Sequence, residues 1–139
     1  MTAPFDAQVP QNLDAEMAVL GACCVRGIEA VEEAAAVIRS QLAFLGPGHA
    51  AIWTVLCRMA AAGTPIDLLT VGRELQRTGV TTERAEALSE TLLRLSDSFA
   101  DAGNVPYYVA MVWEAHLRAK LMALGHRMRS QAGNLGEDV

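Results

Sequence analysis

The groups in this 139-residue chain that could do chemistry are few: three histidines, three cysteines and 16 acidic side chains. His49, His116 and His126 form no His-x-x-x-His pair, the spacing that puts two metal ligands on one helix face. His49 opens an apolar stretch and reads as structural, satisfying local backbone groups. Cys23, Cys24 and Cys57 are odd in number and lack Cys-x-x-Cys spacing, so buried thiols in a reducing compartment are expected. The only lysine, Lys120, sits mid-helix, outside any phosphate loop, and no Gly-x-Gly-x-x-Gly follows a strand. No serine occupies a nucleophile elbow. Glu29, Glu32 and Glu33 read as a solvated helix face. These residues lead us to expect no catalytic residue, no metal site and no cofactor.

The elements that carry these residues are helices. The chain is 52% hydrophobic and 19% charged, enough apolar material for a core, and only 5% aromatic. Its abundant Ala and Leu favour helix over sheet. The length fits one domain. Nothing near the N-terminus resembles a signal peptide, and no stretch is long and apolar enough to span a bilayer, so a cytoplasmic location is expected. The net charge of −5 argues against a dedicated nucleic-acid binder.

About six helices are expected. Asn12 caps the first, whose stripe is Leu13, Met17, Leu20 and Cys24, and Gly27 breaks it. The second spans 28–40, with Ile28, Val31, Ala35 and Ile38 on one face. After Gly46, Pro47 and Gly48, a third runs from His49 to Ala62, with Ile52, Val55, Leu56 and Met59 inward. Asp67 caps a fourth, carrying Leu68, Val71 and Leu75 and ending near Thr78 and Gly79. Thr81 or Thr82 caps a fifth, with Leu88, Leu92 and Leu95. The last begins near Asn104 and reaches about Gln131. The expected architecture is all-α: a flexible arm over 1–11, a globular helical head over 12–95, a hairpin region over 96–132 and a loose polar tail over 133–139.

The last helix carries the strongest pattern. Val109, Trp113, Leu117, Leu121, Leu124 and Met128 recur at spacings of four, four, four, three and four, a seam suited to another helix. A cofactor stripe is the rarer alternative; contact with a partner is preferred, because a terminal helix exposes one face unless something covers it. From Ala115 to Gly136 the chain has no acidic residue, while Arg118, Lys120, Arg127 and Arg129 lie there with His116 and His126. Cations near a helix C-terminus suit the macrodipole; a phosphate-binding patch is the competing reading.

Several blocks, in order, resemble one family. Pro10-Gln11-Asn12-Leu13-Asp14-Ala15-Glu16 followed by Ala18-Val19-Leu20-Gly21 is similar to the opening helix of the N-terminal domain of DnaB-type replicative DNA helicases. Phe44, Pro47, His49, Ile52 and Trp53 resemble its Phe-Tyr-x-Pro-x-His-x-x-Ile-Phe segment. Gly63 to Thr70, with Glu74, Leu75 and Gly79, resembles its Gly-x-Pro-Ile-Asp-Leu-x-Thr segment. Asn104, Tyr107, Tyr108 and Val112 match the Asn-x-x-Tyr-Tyr-x-x-x-Val start of its hairpin. The chain departs from the family before that hairpin. The usual Gly-Gly pair is missing, Thr91-Leu92 falls on Tyr-Leu with Leu95 on the following Leu, and Ala100 replaces a Pro.

The resemblance implies a globular helical head with a helical hairpin, pairing as dimers and forming a trimer of dimers on a hexameric ring. It implies self-association through Tyr107, Tyr108, Val109, Val112, Trp113, Leu117, Leu121, Leu124 and Met128. Primase and a helicase loader are the implied partners, with Asp14, Thr91 and Met122 at contact positions. ATP and magnesium would belong to a separate RecA-like motor domain after a linker beginning about residue 133, and DNA would be met only indirectly. A standalone regulator or inhibitor that mimics this domain is the alternative, and a DNA binder using the basic end of the last helix is a third.

Overall fold

The computed structural model describes residues 12–78, 87, 90–95 and 104–137, and among these all regular structure is helical. The helices are α1 (Leu13–Arg26), α2 (Ile28–Ala35), α3 (His49–Ala62), α4 (Leu68–Arg77), a segment α5 described over residues 90–95, and α6 (Val105–Glu137); a single 3-10 turn, Gln41–Ala43, precedes α3.

Helix ends follow local chemistry. The Asn12 side chain accepts from the Ala15 amide at 3.0 Å, starting α1. Asp67 and Thr70 form a reciprocal capping box at the start of α4, with bonds of 2.8 and 2.9 Å. Gly63 ends α3 at φ 70°, in the left-handed region, and the Thr64 amide reaches back to the Met59 carbonyl at 3.0 Å.

α1 is the central helix, packing against α2, α3, α4 and α6. Its expected stripe was too narrow. Leu20 and Cys24 are buried, but so are Ala15, Ala18, Val19, Ala22 and Cys23, while Leu13 is 39% exposed. A helix surrounded by others buries most of its circumference, and small side chains let the neighbours come close. The core is completed by Val31 and Ile38, by Phe44 and Trp53 with rings 5.0 Å apart, by Ile52, Leu56 and Met59, and by Val71, Leu75, Leu92 and Leu95.

Three expectations change. The second helix ends at Ala35, not at 40; the amides of Val37 and Ile38 both turn back to the Ala34 carbonyl, and this compact turn still buries Ile38. The hairpin drawn over 96–132 is, in its described part, one unbroken helix without a turn. That helix continues to Glu137, through residues expected to be a loose tail; the glycines at 125 and 133 lower its propensity without stopping it. The expected flexible arm over 1–11, the polar connection over 96–103, the caps Thr81 and Thr82, Gly79 and Leu88 lie outside the described residues.

Candidate partner-docking surface

α6 has two halves with different surroundings. Val105, Val109, Val112 and His116 are buried, while every described side chain from Lys120 to Leu135 is exposed. The helix is therefore anchored in the head by its first three turns and projects beyond it.

Helix geometry explains why the seam read from the sequence divides. At about 100° per residue, each step of four turns the stripe by about 40° around the axis. Three such steps carry it from Val109, facing the core, past half-buried Trp113 to Leu117 and Leu121, which are 44% and 67% exposed. Val109 and Val112 accordingly belong to the chain's own core, at 3% and 1% exposure, and are withdrawn from the self-association set. The rest of that set remains accessible. Tyr107 is 66% exposed and packs edge-on against half-buried Tyr108, ring centroids 5.9 Å apart, and Leu124 and Met128 are also exposed. Leu117, Leu121, Leu124, Met128 and the exposed Leu135, which the sequence reading left out, share an arc of about 60°, roughly 120° from the core-facing arc.

His116 marks the boundary between the halves. It is buried, its ring lies 4.9 Å from that of Trp113, and Nε2 has no hydrogen-bond partner among the described residues. Burial lowers its pKa below the usual 6.5, and the Lys120 cation adds to the effect.

The three positions read as primase contacts lie on separate elements. Asp14 is exposed in the first turn of α1, and Met122 is 43% exposed on α6. Thr91 is half-buried on α5 and donates its hydroxyl to the Ala87 carbonyl at 2.9 Å. Beside Thr91 the structure shows a feature missed in the sequence: an apolar groove of about 490 Å³ between α4 and α5, lined by Leu68, Leu69, Gly72, Arg73, Leu92 and Leu93. Leu69 and Leu93 are about 70% exposed at its rim. Only the spacing of paired leucines, Leu68-Leu69 and Leu92-Leu93, could have signalled it.

A second missed feature lies under the head. Glu16 is 1% exposed, and its Oε1 accepts the Gly46 amide at 2.9 Å and meets His49 Nδ1 at 3.0 Å. His49 is structural, as expected, but its side chain answers a carboxylate from α1. The pair is enclosed by the fold, and among the described residues no cluster of metal-ligating side chains occurs. Nor is any helix there long and apolar enough to cross a membrane.

Buried titratable groups serving the packing, an open apolar groove and an apolar stripe on a projecting helix define an all-helical domain whose surface is shaped for contact with other chains. Comparison with known proteins gives the family. The model of the DnaB-like helicase N-terminal domain matches residues 8–114, and the chain belongs to that family. It is 31% identical over 140 residues to the replicative DNA helicase DnaB of Mycobacterium leprae, covering 97% of this chain and 22% of that protein. It is 33% identical over 109 residues to the DnaB of Rhodothermus marinus, covering 78% of this chain and 11% of that protein. The crystal structure of the N-terminal domain of DnaB helicase from Mycobacterium tuberculosis superposes with a TM-score of 0.82 at 29% identity, covering 95% of this chain and 91% of that one. The chain thus spans between about a tenth and a quarter of the length of these curated relatives.

Proposed function

We propose that this chain is the oligomerisation and partner-docking domain of a replicative DNA helicase, acting in DNA replication and primosome assembly in the cytoplasm. The observation that carries the reading is α6: one helix, rooted in the head by Val105, Val109 and Val112, that leaves the head with its apolar face uncovered. Exposed apolar stripes of this kind are contact surfaces waiting for another chain. In this reading the domain does no chemistry. ATP and magnesium belong to a motor domain elsewhere in the helicase, and DNA is met only through the assembly, in keeping with a net charge of −5.

Self-association is assigned to the accessible part of α6, with Tyr107, Tyr108 and Trp113 near the head and Leu117, Leu121, Leu124 and Met128 beyond. Primase and loader docking is assigned to Asp14, Thr91 and Met122. Sedimentation velocity over a wide concentration range tests the first assignment. A concentration-dependent oligomer is expected, weakened by Tyr107→Glu and by Trp113→Glu, with circular dichroism confirming that both variants remain helical. A monomer at every concentration overturns it. A pull-down with the helicase-binding domain of the cognate primase tests the second: Asp14→Lys with Met122→Glu should lose the primase, and no recovery by the unaltered chain refutes the assignment.

A further inference from the structure

The projecting half of α6 carries a charge pattern as specific as its apolar stripe. Between residues 115 and 136 there are four basic residues and no acidic one. On a helical projection Lys120 and Arg127 fall within about 20° of each other along one edge of the stripe, and Arg118 and Arg129 within about 20° along the other. The stripe is bordered by positive charge on both sides. Arg118 shares its charge with Glu114, one turn back, at 2.7 Å; Glu114 stands on the side towards the head and leaves the rest of the border basic.

This pattern decides what can lie on the stripe. When two helices pack along an apolar seam, the residues flanking the seam face each other, and their charges choose the partner. The same stretch of a second copy would bring basic edges against basic edges, with no carboxylate between 115 and 136 to offset them. A nucleic-acid backbone suits the edges but would press phosphates onto Leu121, Leu124 and Met128, which are 67%, 45% and 62% exposed. An apolar seam with acidic flanks satisfies both features. We infer that the outer half of α6 is the docking site for an amphipathic helix of a different protein, one whose apolar seam is bordered by Asp and Glu. The inference rests on the docking half of the function proposed above and is independent of self-association, which it leaves to the part of α6 nearer the head.

The test uses two labelled helical peptides of about 20 residues, about six turns. They share one leucine seam, flanked by glutamates in one and by lysines in the other. Fluorescence anisotropy against the full chain should show the glutamate-flanked peptide binding at least about tenfold tighter, with the gap narrowing as salt screens the flanks. Lys120→Glu with Arg127→Glu should invert the preference. Leu121→Asp with Leu124→Asp should abolish binding of both peptides while leaving the head folded, because these side chains touch nothing in the core. Equal binding of the two peptides overturns the inference, as does binding of neither. Displacement of the peptide by random-sequence duplex DNA, or dissolution of a self-associated form by the Leu121 and Leu124 substitutions, assigns the stripe to another occupant and also overturns it. A chain that stays monomeric yet binds the glutamate-flanked peptide refutes self-association alone.

Discussion

Glu16 and His49 stand 33 residues apart in sequence and meet at 3.0 Å between Oε1 and Nδ1, each almost wholly enclosed. The same carboxylate oxygen also takes the Gly46 amide, so one side chain on α1 holds both the entry loop and the first residue of α3. A buried carboxylate with its partners in place is tolerable, whereas partners left behind without it are not. Glu16→Ala should therefore cost about 3–5 kcal/mol, read as a lower urea midpoint at unchanged slope. His49→Ala should cost a comparable amount, and the double variant less than the sum. Additive losses would show that the two side chains act separately.

Gly46 fits that loop because it lacks a side chain. A Cβ there would fall 2.2 Å from His49 Nδ1. Gly46→Ala should expel the imidazole from the carboxylate and lower the urea midpoint about as far as His49→Ala does. In the His49→Ala background the alanine at 46 should do little further harm, and a large extra loss there would place the strain elsewhere.

Two glycines on the long axes of the fold should respond in opposite directions. A Cβ at Gly21 of α1 would sit 3.2 Å from the Leu95 carbonyl, so Gly21→Ala forces α5 outward and should cost about 1–3 kcal/mol. A Cβ at Gly125 of α6 meets nothing within 4 Å, so Gly125→Ala should raise helicity in the projecting half by up to about 1 kcal/mol. Chemical denaturation reads the first change, and amide hydrogen exchange beyond His116 reads the second.

His116 should make the root of α6 sensitive to acid. Its imidazole is buried, and its pKa lies below 6.5 in the fold through burial and the nearby Lys120 cation. As pH falls through 6.5 the unfolded chain takes up the proton first, so this group's contribution to stability is present above that pH and lost below it. Urea midpoints should decline between neutral pH and pH 5, and His116→Leu should flatten that decline. An identical pH profile in the variant would refute the role.

The cysteines should weaken the fold at alkaline pH. Burial is the main cause of both large shifts: it raises the Cys23 thiol well above its ordinary 9.0 and pushes Cys24 up to about 12, with Cys57 raised less strongly. These thiols stabilise the fold below pH 9 and lose that contribution as pH climbs, because the unfolded chain ionises first. Alkylation at neutral pH should label half-exposed Cys57 ahead of the two buried neighbours. Early labelling of Cys23 would mean that α1 opens locally.

Elements announced by local chemistry were readable from the sequence, and features made by packing were not. Asn12, Asp67 and Gly63 mark helix ends through bonds within a few residues of themselves, and those ends fell where expected. The opening and projecting helices were misjudged because periodicity records apolar spacing and says nothing about how many neighbours surround a helix. α1 is enclosed on nearly every side, so its alanines and cysteines count as core. The stripe on α6 looked continuous in spacing, yet its slow rotation puts Val109 inside the head and Leu121 outside it. The Glu16 and His49 contact was hidden for a different reason. Both residues had been singled out separately, Glu16 in the opening block and His49 in the next, but nothing local says that two segments 33 residues apart share an oxygen atom.

The continuity of α6 has a mechanical consequence. Its 33 residues make a rod about 50 Å long with no joint along its described length. Whatever grips the outer leucines therefore holds the handle of a lever whose short end is wedged against α1, and a sideways pull at the tip arrives in the head as torque on Val109 and Val112.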